Sequence, residues 1–266
     1  MSADHLRIVR AGQQDIACRV EGPAGAPALV LVHGILTDHR AWDGVAQRLA
    51  ARFRVVRYDL RGHGGSSAPP PPYTMVELAD DLPPLLDALG LQRVHLAGSS
   101  LGGMIAQQVA VRHGARLLSL TLANTAAAQA APAAWEERIV TARSFGVAAL
   151  ADSTLQRWFT PAFQQEHGDE MARMRRILCE TSLDGFVGCA QAVRDLAQLE
   201  LLPRIAVRTL VLAGSDDKAA PPEQARQIRD AVPGARMVML AAAHQAAVEQ
   251  PQAFCDAWLA FADSAA

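Results

Sequence analysis

The chain has 266 residues, half of them hydrophobic and a fifth charged, with a formal net charge of −2. That length suits one large domain carrying an insertion better than two full domains, and the composition excludes a disordered or fibrous chain. The near-neutral charge makes no case for nucleic acid or an anionic membrane as partner.

At the N-terminus, "MSADHLRIVR" has polar and charged residues where a signal peptide needs an apolar core, and no apolar run is long enough to span a bilayer. A soluble, cytoplasmic protein is expected. Four cysteines, Cys18, Cys179, Cys189 and Cys255, lie far apart with no C-x-x-C pair, and read as free thiols rather than as a disulfide framework or a zinc site. No repeat appears at solenoid or propeller periods.

"LRIV", "IACRV", "ALVLVHG" and "FRVVRYDL" read as strands separated by Gly- and Pro-containing turns, the last two deeply buried. After the loop "RGHGGSSAPPPP", Thr74 and Glu77 form a T-x-x-E capping box that opens a helix. Leu78, Leu82, Leu85, Leu86 and Leu89 repeat at helical spacing up to a stop at Gly90, with a kink or restart predicted at Pro83 and Pro84. "RVHLAG", "LGGMIAQQVAVRHG" and "LLSLTLANT" continue as strand, helix and strand. Such alternation implies a parallel sheet covered on both faces, because parallel neighbours need crossover connections.

From about Ala126 to Glu200 the strand-like runs vanish, and "APAAWEERIVTARSFG", "VAALADSTLQRWF" and "DEMARMRRILCETSLDGFVGCAQAVRDL" predict an all-helical insertion. Alternation then resumes with "RTLVLAGSDD", "PPEQARQIRDAV", "ARMVMLAAAH" and "PQAFCDAWLAFAD". In the last helix Phe254, Trp258 and Phe261 share one face and read as core anchors. Residues 1–125 and 201–266 are therefore expected to form the core, and residues 126–200 a helical cap inserted after the sixth strand.

Gly98-Ser99-Ser100-Leu101-Gly102 satisfies G-x-S-x-G between a buried strand and a helix. That context gives the motif mechanical meaning: a sharp strand-to-helix turn lifts the central side chain, Ser100, to the sheet edge and needs small residues on either side. Ser99 lies beside the elbow, its hydroxyl expected to point elsewhere. The Leu101 N–H falls at a helix N-terminus, where free donors and the helix dipole favour a developing oxyanion, and Ile35 in "HGIL" offers a second N–H. A serine needs a base, and the base an orienting acid. Among eight histidines His244 is the best base candidate, in the small-residue loop "AAAHQAAVEQP", and Asp217 in "GSDDKAAPP" is the acid candidate. His33 reads as a structural hydrogen-bonding residue, and Asp59, Arg61 and His63 as an internal polar network.

"VHGILTDHRAW", "RYDLRGHGGS", "GSSLGG", "GSDDKAAPP" and "HQAAVEQP", in that order, resemble the α/β-hydrolase fold superfamily across essentially the whole chain. The resemblance implies a mostly parallel central sheet flanked by helices. Its G-x-x-D-x-x-x-P pattern falls on Gly214, Asp217 and Pro221 and so favours Asp217 over Asp216. The sequence departs from the family in reading "AAAH" at the histidine and Ser99 beside the nucleophile. Within the superfamily, Trp135-x-x-Arg138, "RWFT" and "GF" with "CAQAVRDL" resemble the cap of 3-oxoadipate enol-lactonases of the β-ketoadipate branch of aromatic catabolism. That likeness implies a small lactone or ester substrate bearing a carboxylate, held by Arg138 against an apolar wall of Trp135 and Trp158. No metal or organic cofactor is implied. A general carboxylesterase with the same triad is the alternative. A non-catalytic ligand receptor on this fold is disfavoured, since a pure binder gains nothing from a base and an acid behind the serine.

Overall fold

The computed structural model describes residues 6–264. The outermost residues of the expected core segments, with most of the polar N-terminal stretch read above as no leader, lie outside them. Eight strands form one sheet: β1 (Arg7–Ala11), β2 (Gln14–Glu21), β3 (Ala28–Val32), β4 (Arg54–Tyr58), β5 (Val94–Ser99), β6 (Leu117–Ala123), β7 (Thr209–Gly214) and β8 (Arg236–Leu240). Their order is β1-β2-β4-β3-β5-β6-β7-β8. The sheet is parallel from β4 to β8, while β2 runs antiparallel to both β1 and β4. The first pair has to be a hairpin, because the two residues between Ala11 and Gln14 cannot carry a parallel crossover.

All five residues of β3 are buried, and they alternate between two cores. Val30 and Val32 join the core under α2 (Met75–Asp80), α3 (Leu82–Ala88), α4 (Leu101–Arg112) and α10 (Pro222–Ala231). Leu29 and Leu31 join the core under α1 (Asp43–Leu49) and α12 (Pro251–Asp263). Period-two side chains on a strand covered on both faces require this division. The anchors Phe254, Trp258 and Phe261 fill the second core, where the Trp258 ring meets Phe53 edge-on with centroids 4.8 Å apart. The predicted capping box is present: Thr74 Oγ1 accepts from the Glu77 N–H at 3.2 Å while a Glu77 carboxylate oxygen accepts from the Thr74 N–H at 2.8 Å. At the prolines the helix restarts rather than kinks, with α2 and α3 meeting at Asp81, and Gly90 ends α3 at φ +68°.

After β6 the chain leaves the sheet for five helices, α5 (Pro132–Phe145), α6 (Ala151–Trp158), α7 (Pro161–Glu166), α8 (Gly168–Cys179) and α9 (Leu183–Arg194). The long segment "DEMARMRRILCETSLDGFVGCAQAVRDL" is thus two helices, divided where Ser182 Oγ accepts from the Gly185 N–H at 3.0 Å. The start of α9 is docked on the core: Ser182 Oγ donates to the Gly62 carbonyl at 2.8 Å, and a Cβ on Gly185 would lie 2.1 Å from that same oxygen. The loop read after β8 contains the short helix α11 (Ala246–Glu249). Among the described residues no helix is long and apolar enough to cross a membrane, and all four cysteines are free.

Candidate active site

The sheet delivers its chemistry-bearing side chains to one edge, the carboxyl ends of the parallel strands, where crevices open in folds of this kind. Ser100 stands between β5 and α4 at φ 54°, ψ −119°, a conformation costly for a residue with a side chain. The surroundings leave little choice. A Cβ on Gly98 would lie 2.1 Å from the Gly102 carbonyl oxygen, and one on Gly102 would lie 2.2 Å from that of Val32. Backbone packing thereby forces the turn that lifts Ser100, whose N–H donates to the Ala123 carbonyl at 2.9 Å. Ser99 closes β5 outside the cavity lining.

Ser100 Oγ lies 3.0 Å from His244 Nε2, and His244 Nδ1 lies 2.9 and 3.0 Å from the two Asp217 oxygens. All three residues are buried. Because Asp217 accepts from Nδ1, the Nε2 lone pair faces the hydroxyl, the arrangement in which an imidazole removes a serine proton. Burial alone would raise the Asp217 carboxyl. The charge of His244 and hydrogen bonds from His244, the Ala220 N–H and Asn124 outweigh it, so the group titrates below the usual carboxylate range.

Asn124 escaped the sequence reading. It follows β6 at φ 46°, and its Nδ2 donates to Asp217 Oδ2 at 3.0 Å and to the Ala243 carbonyl at 3.1 Å. It therefore ties the acid to the peptide before the base. The one sequence signal was an asparagine, tolerant of the left-handed region, at the end of a strand.

Among the described residues neither the Ile35 N–H nor the Leu101 N–H donates to a protein acceptor. Both flank Ser100: a Cβ on Gly34 would lie 3.1 Å from the Ser100 Cβ, so the Gly34–Ile35 segment passes directly over the serine. Two free donors converging there suit an oxyanion. This loop is held by histidines that cannot serve as bases. His33 Nε2 accepts from the Leu60 N–H at 2.9 Å and His63 Nε2 from the Leu36 N–H at 3.2 Å, which fixes both rings as neutral tautomers. Burial pushes His33 below its ordinary value and His63 down to about 3. The expected network of Asp59, Arg61 and His63 is divided: the Asp59 carboxylate bonds His39 Nδ1 at 2.7 Å and the Gly65 N–H at 2.9 Å, whereas the Arg61 guanidinium pairs with Asp81. Asp38, His39 and Asp59 cluster closely, but Arg40 takes Asp38 and His39 takes Asp59, leaving no donor set for a cation.

Ser100 and His244 open into a cavity of about 290 Å³ roofed by the helices after β6. Trp135, Arg138 and Trp158 all line it, with Ile35 and Met104 below. The Trp158 ring lies 6.0 Å from that of His244, and the Arg138 guanidinium covers the Trp135 face at 5.3 Å. Arg138 Nη2 donates to Thr154 Oγ1 at 3.0 Å, yet its Nε is buried without a partner and no carboxylate among the described residues pairs with it. Burial, with Arg157 nearby, lowers the guanidinium to about 10. Arg157 and Lys218 line the same cavity. Both are exposed, and the described lining of the cavity contains no aspartate or glutamate.

The family described as having the alpha/beta hydrolase fold matches residues 27–251. The chain is 31% identical over 243 residues to 3-oxoadipate enol-lactonase 2 of Acinetobacter baylyi, covering 91% of each chain. Among solved structures it resembles a hydrolase from Pseudomonas aeruginosa, with TM-score 0.93, 39% identity and coverage of 98% of this chain and 99% of that one. It also resembles the enol-lactonase from Burkholderia xenovorans, with TM-score 0.94, 35% identity and coverage of 97% and 100%.

Proposed function

The chain belongs to the α/β-hydrolase fold family, and from that premise we propose that it opens a small, carboxylate-bearing lactone or ester through an acyl-enzyme on Ser100, with 3-oxoadipate enol-lactone as the substrate. Residues 126–200 act as the lid over a core of residues 1–125 and 201–266. Ser100 Oγ attacks the carbonyl carbon as its proton passes to His244 Nε2. The Ile35 and Leu101 N–H groups receive the oxyanion. The ring C–O bond breaks and the enol oxygen leaves, taking the proton back from His244; the enol then becomes a ketone. Water, deprotonated by His244, attacks the acyl carbon and restores Ser100, while Asp217 holds the imidazole tautomer throughout. Each proton removed is returned, and one water molecule is consumed, its oxygen ending in the product carboxyl group.

The observation that carries the substrate class is Arg138, a half-buried guanidinium in the wall of the cavity into which Ser100 opens, whose Nε is buried without a partner and with which no carboxylate among the described residues pairs. A substrate carboxylate would supply the missing partner, and the small cavity, at the lower end of the range of about 300–1,000 Å³ for ligand pockets, favours a compact molecule. Resemblance to enol-lactonases over nearly the full chain supports the same reading. The test is loss of enol-lactone absorbance with wild type and with Arg138→Ala, beside a neutral short-chain aryl ester. A charge-assisted hydrogen bond contributes about 1.5–3 kcal/mol, so KM for the lactone should rise about 10- to 100-fold while the neutral ester is little affected. An unchanged lactone KM rules out the carboxylate contact, and turnover of the neutral ester alone leaves a general carboxylesterase.

A further inference from the structure

Glu249, the last residue of α11, is a buried carboxylate that the proposed mechanism does not use. Its two oxygens face opposite ways. Oε1 accepts from both the N–H and the hydroxyl of Thr160, each at 2.8 Å, on the lid just after α6. Oε2 accepts from the N–H of Ala243, the residue before His244. Alongside, the Gln245 N–H donates to the Trp158 carbonyl at 3.0 Å. The backbone around His244 is thus hydrogen-bonded to the lid segment that carries Trp158, one wall of the cavity.

Ala243 is held at both ends. Its carbonyl accepts from Asn124, which also holds Asp217, and its N–H donates to Glu249, which also holds Thr160. The imidazole therefore hangs from a backbone fixed on one side to Asn124, which also holds the acid, and on the other to the lid. A carboxylate suits this position because it accepts at both oxygens, whereas an amide would turn a donor toward one of two N–H groups.

From this arrangement we propose that Glu249 is a positioning residue: it locks the backbone before His244 to the lid, so that His244 Nε2 meets Ser100 Oγ only when the lid wall formed by Trp158 is seated. The inference rests on Ser100 and His244 acting as nucleophile and base. Misplacing a catalytic group by about 1 Å can cost about 100-fold in rate. Glu249→Gln should accordingly lower kcat about 10- to 100-fold per active site, with KM for a small neutral aryl ester changed less than about 3-fold.

The measurement counts active sites by stoichiometric labelling with an aryl phosphonate, then reads kcat and KM per labelled site for wild type, Glu249→Gln and Thr160→Val. Thr160→Val removes one hydroxyl donor from the same carboxylate and should show the same pattern at about 3- to 10-fold, keeping the test decisive if Glu249→Gln does not fold. A merely structural Glu249 reduces the fraction of labelled sites while leaving kcat per site at the wild-type value, and that result overturns the proposal. If wild type is not labelled at Ser100, the mechanism itself fails, an outcome distinct from full activity per labelled site in the variants.

Discussion

At the scale of single residues, the site divides into side chains announced by local motifs and side chains recruited by folding. Ser100, Asp217 and His244 were legible because each sits in a short segment just past a strand, and the fold sends all such segments to one edge. Asn124 and Glu249 were not, because their value lies in partners distant in the chain: Asp217 and Ala243 for the first, Thr160 and Ala243 for the second. Both positions are open to test. Asn124→Asp keeps a residue that tolerates the left-handed region but sets a second carboxylate against Asp217 and abolishes donation to the Ala243 carbonyl. Turnover of an aryl ester should fall at least about 10-fold with the fold retained by circular dichroism, since a like charge disturbs the acid and the base loses its tether. Wild-type kcat in that variant would show that Asn124 does not position the acid.

At the scale of elements, the strand-to-helix turn at Ser100 is where sequence and packing agree most closely. Gly98 and Gly102 were expected to be small, and the close carbonyls give the reason. Gly98→Ala forces a methyl within 2.1 Å of a backbone oxygen and should cost at least about 3 kcal/mol in urea unfolding, with activity lost. Gly25→Ala, where nothing lies within 4 Å, should change stability by less than about 0.5 kcal/mol. Equal midpoints for the two variants would contradict the crowding. The lid was legible as helical but not in its divisions. The break at Ser182 depends on docking against Gly62, and α11 is only four residues long, too short for a periodic pattern. The first two strands were legible, but not their pairing: the hairpin follows from strand ends that leave only two residues between Ala11 and Gln14.

At the scale of the whole molecule, the buried histidines make stability depend on pH in a definite direction. His33 and His63 stay neutral in the folded state while the unfolded chain takes up protons below about pH 6.5, so the unfolded state binds more protons and folding weakens as pH falls. Each histidine can contribute a loss approaching about 1.4 kcal/mol per pH unit below that value, continuing for His63 to about pH 3. Asp59 and Asp217, depressed in the folded state, contribute stability above the usual carboxylate range and lose it only as pH falls through their lower folded values. Urea unfolding at pH 7.5 and 5.5 should therefore show a drop of more than about 1 kcal/mol before the carboxylates titrate; a flat profile would mean that the two rings are protonated in the fold. The order of the eight strands and the insertion after the sixth bring together segments spanning Ile35 to His244. What that assembly is proposed to achieve is a single covalent event at one of two adjacent serines. The most direct measurement is peptide mass spectrometry of protein treated with an aryl phosphonate, in wild type and Ser100→Ala. One adduct per chain on Ser100, with Ser99 unmodified and both adduct and hydrolysis lost in the variant, is the predicted result; an adduct on Ser99, or hydrolysis surviving Ser100→Ala, would contradict it.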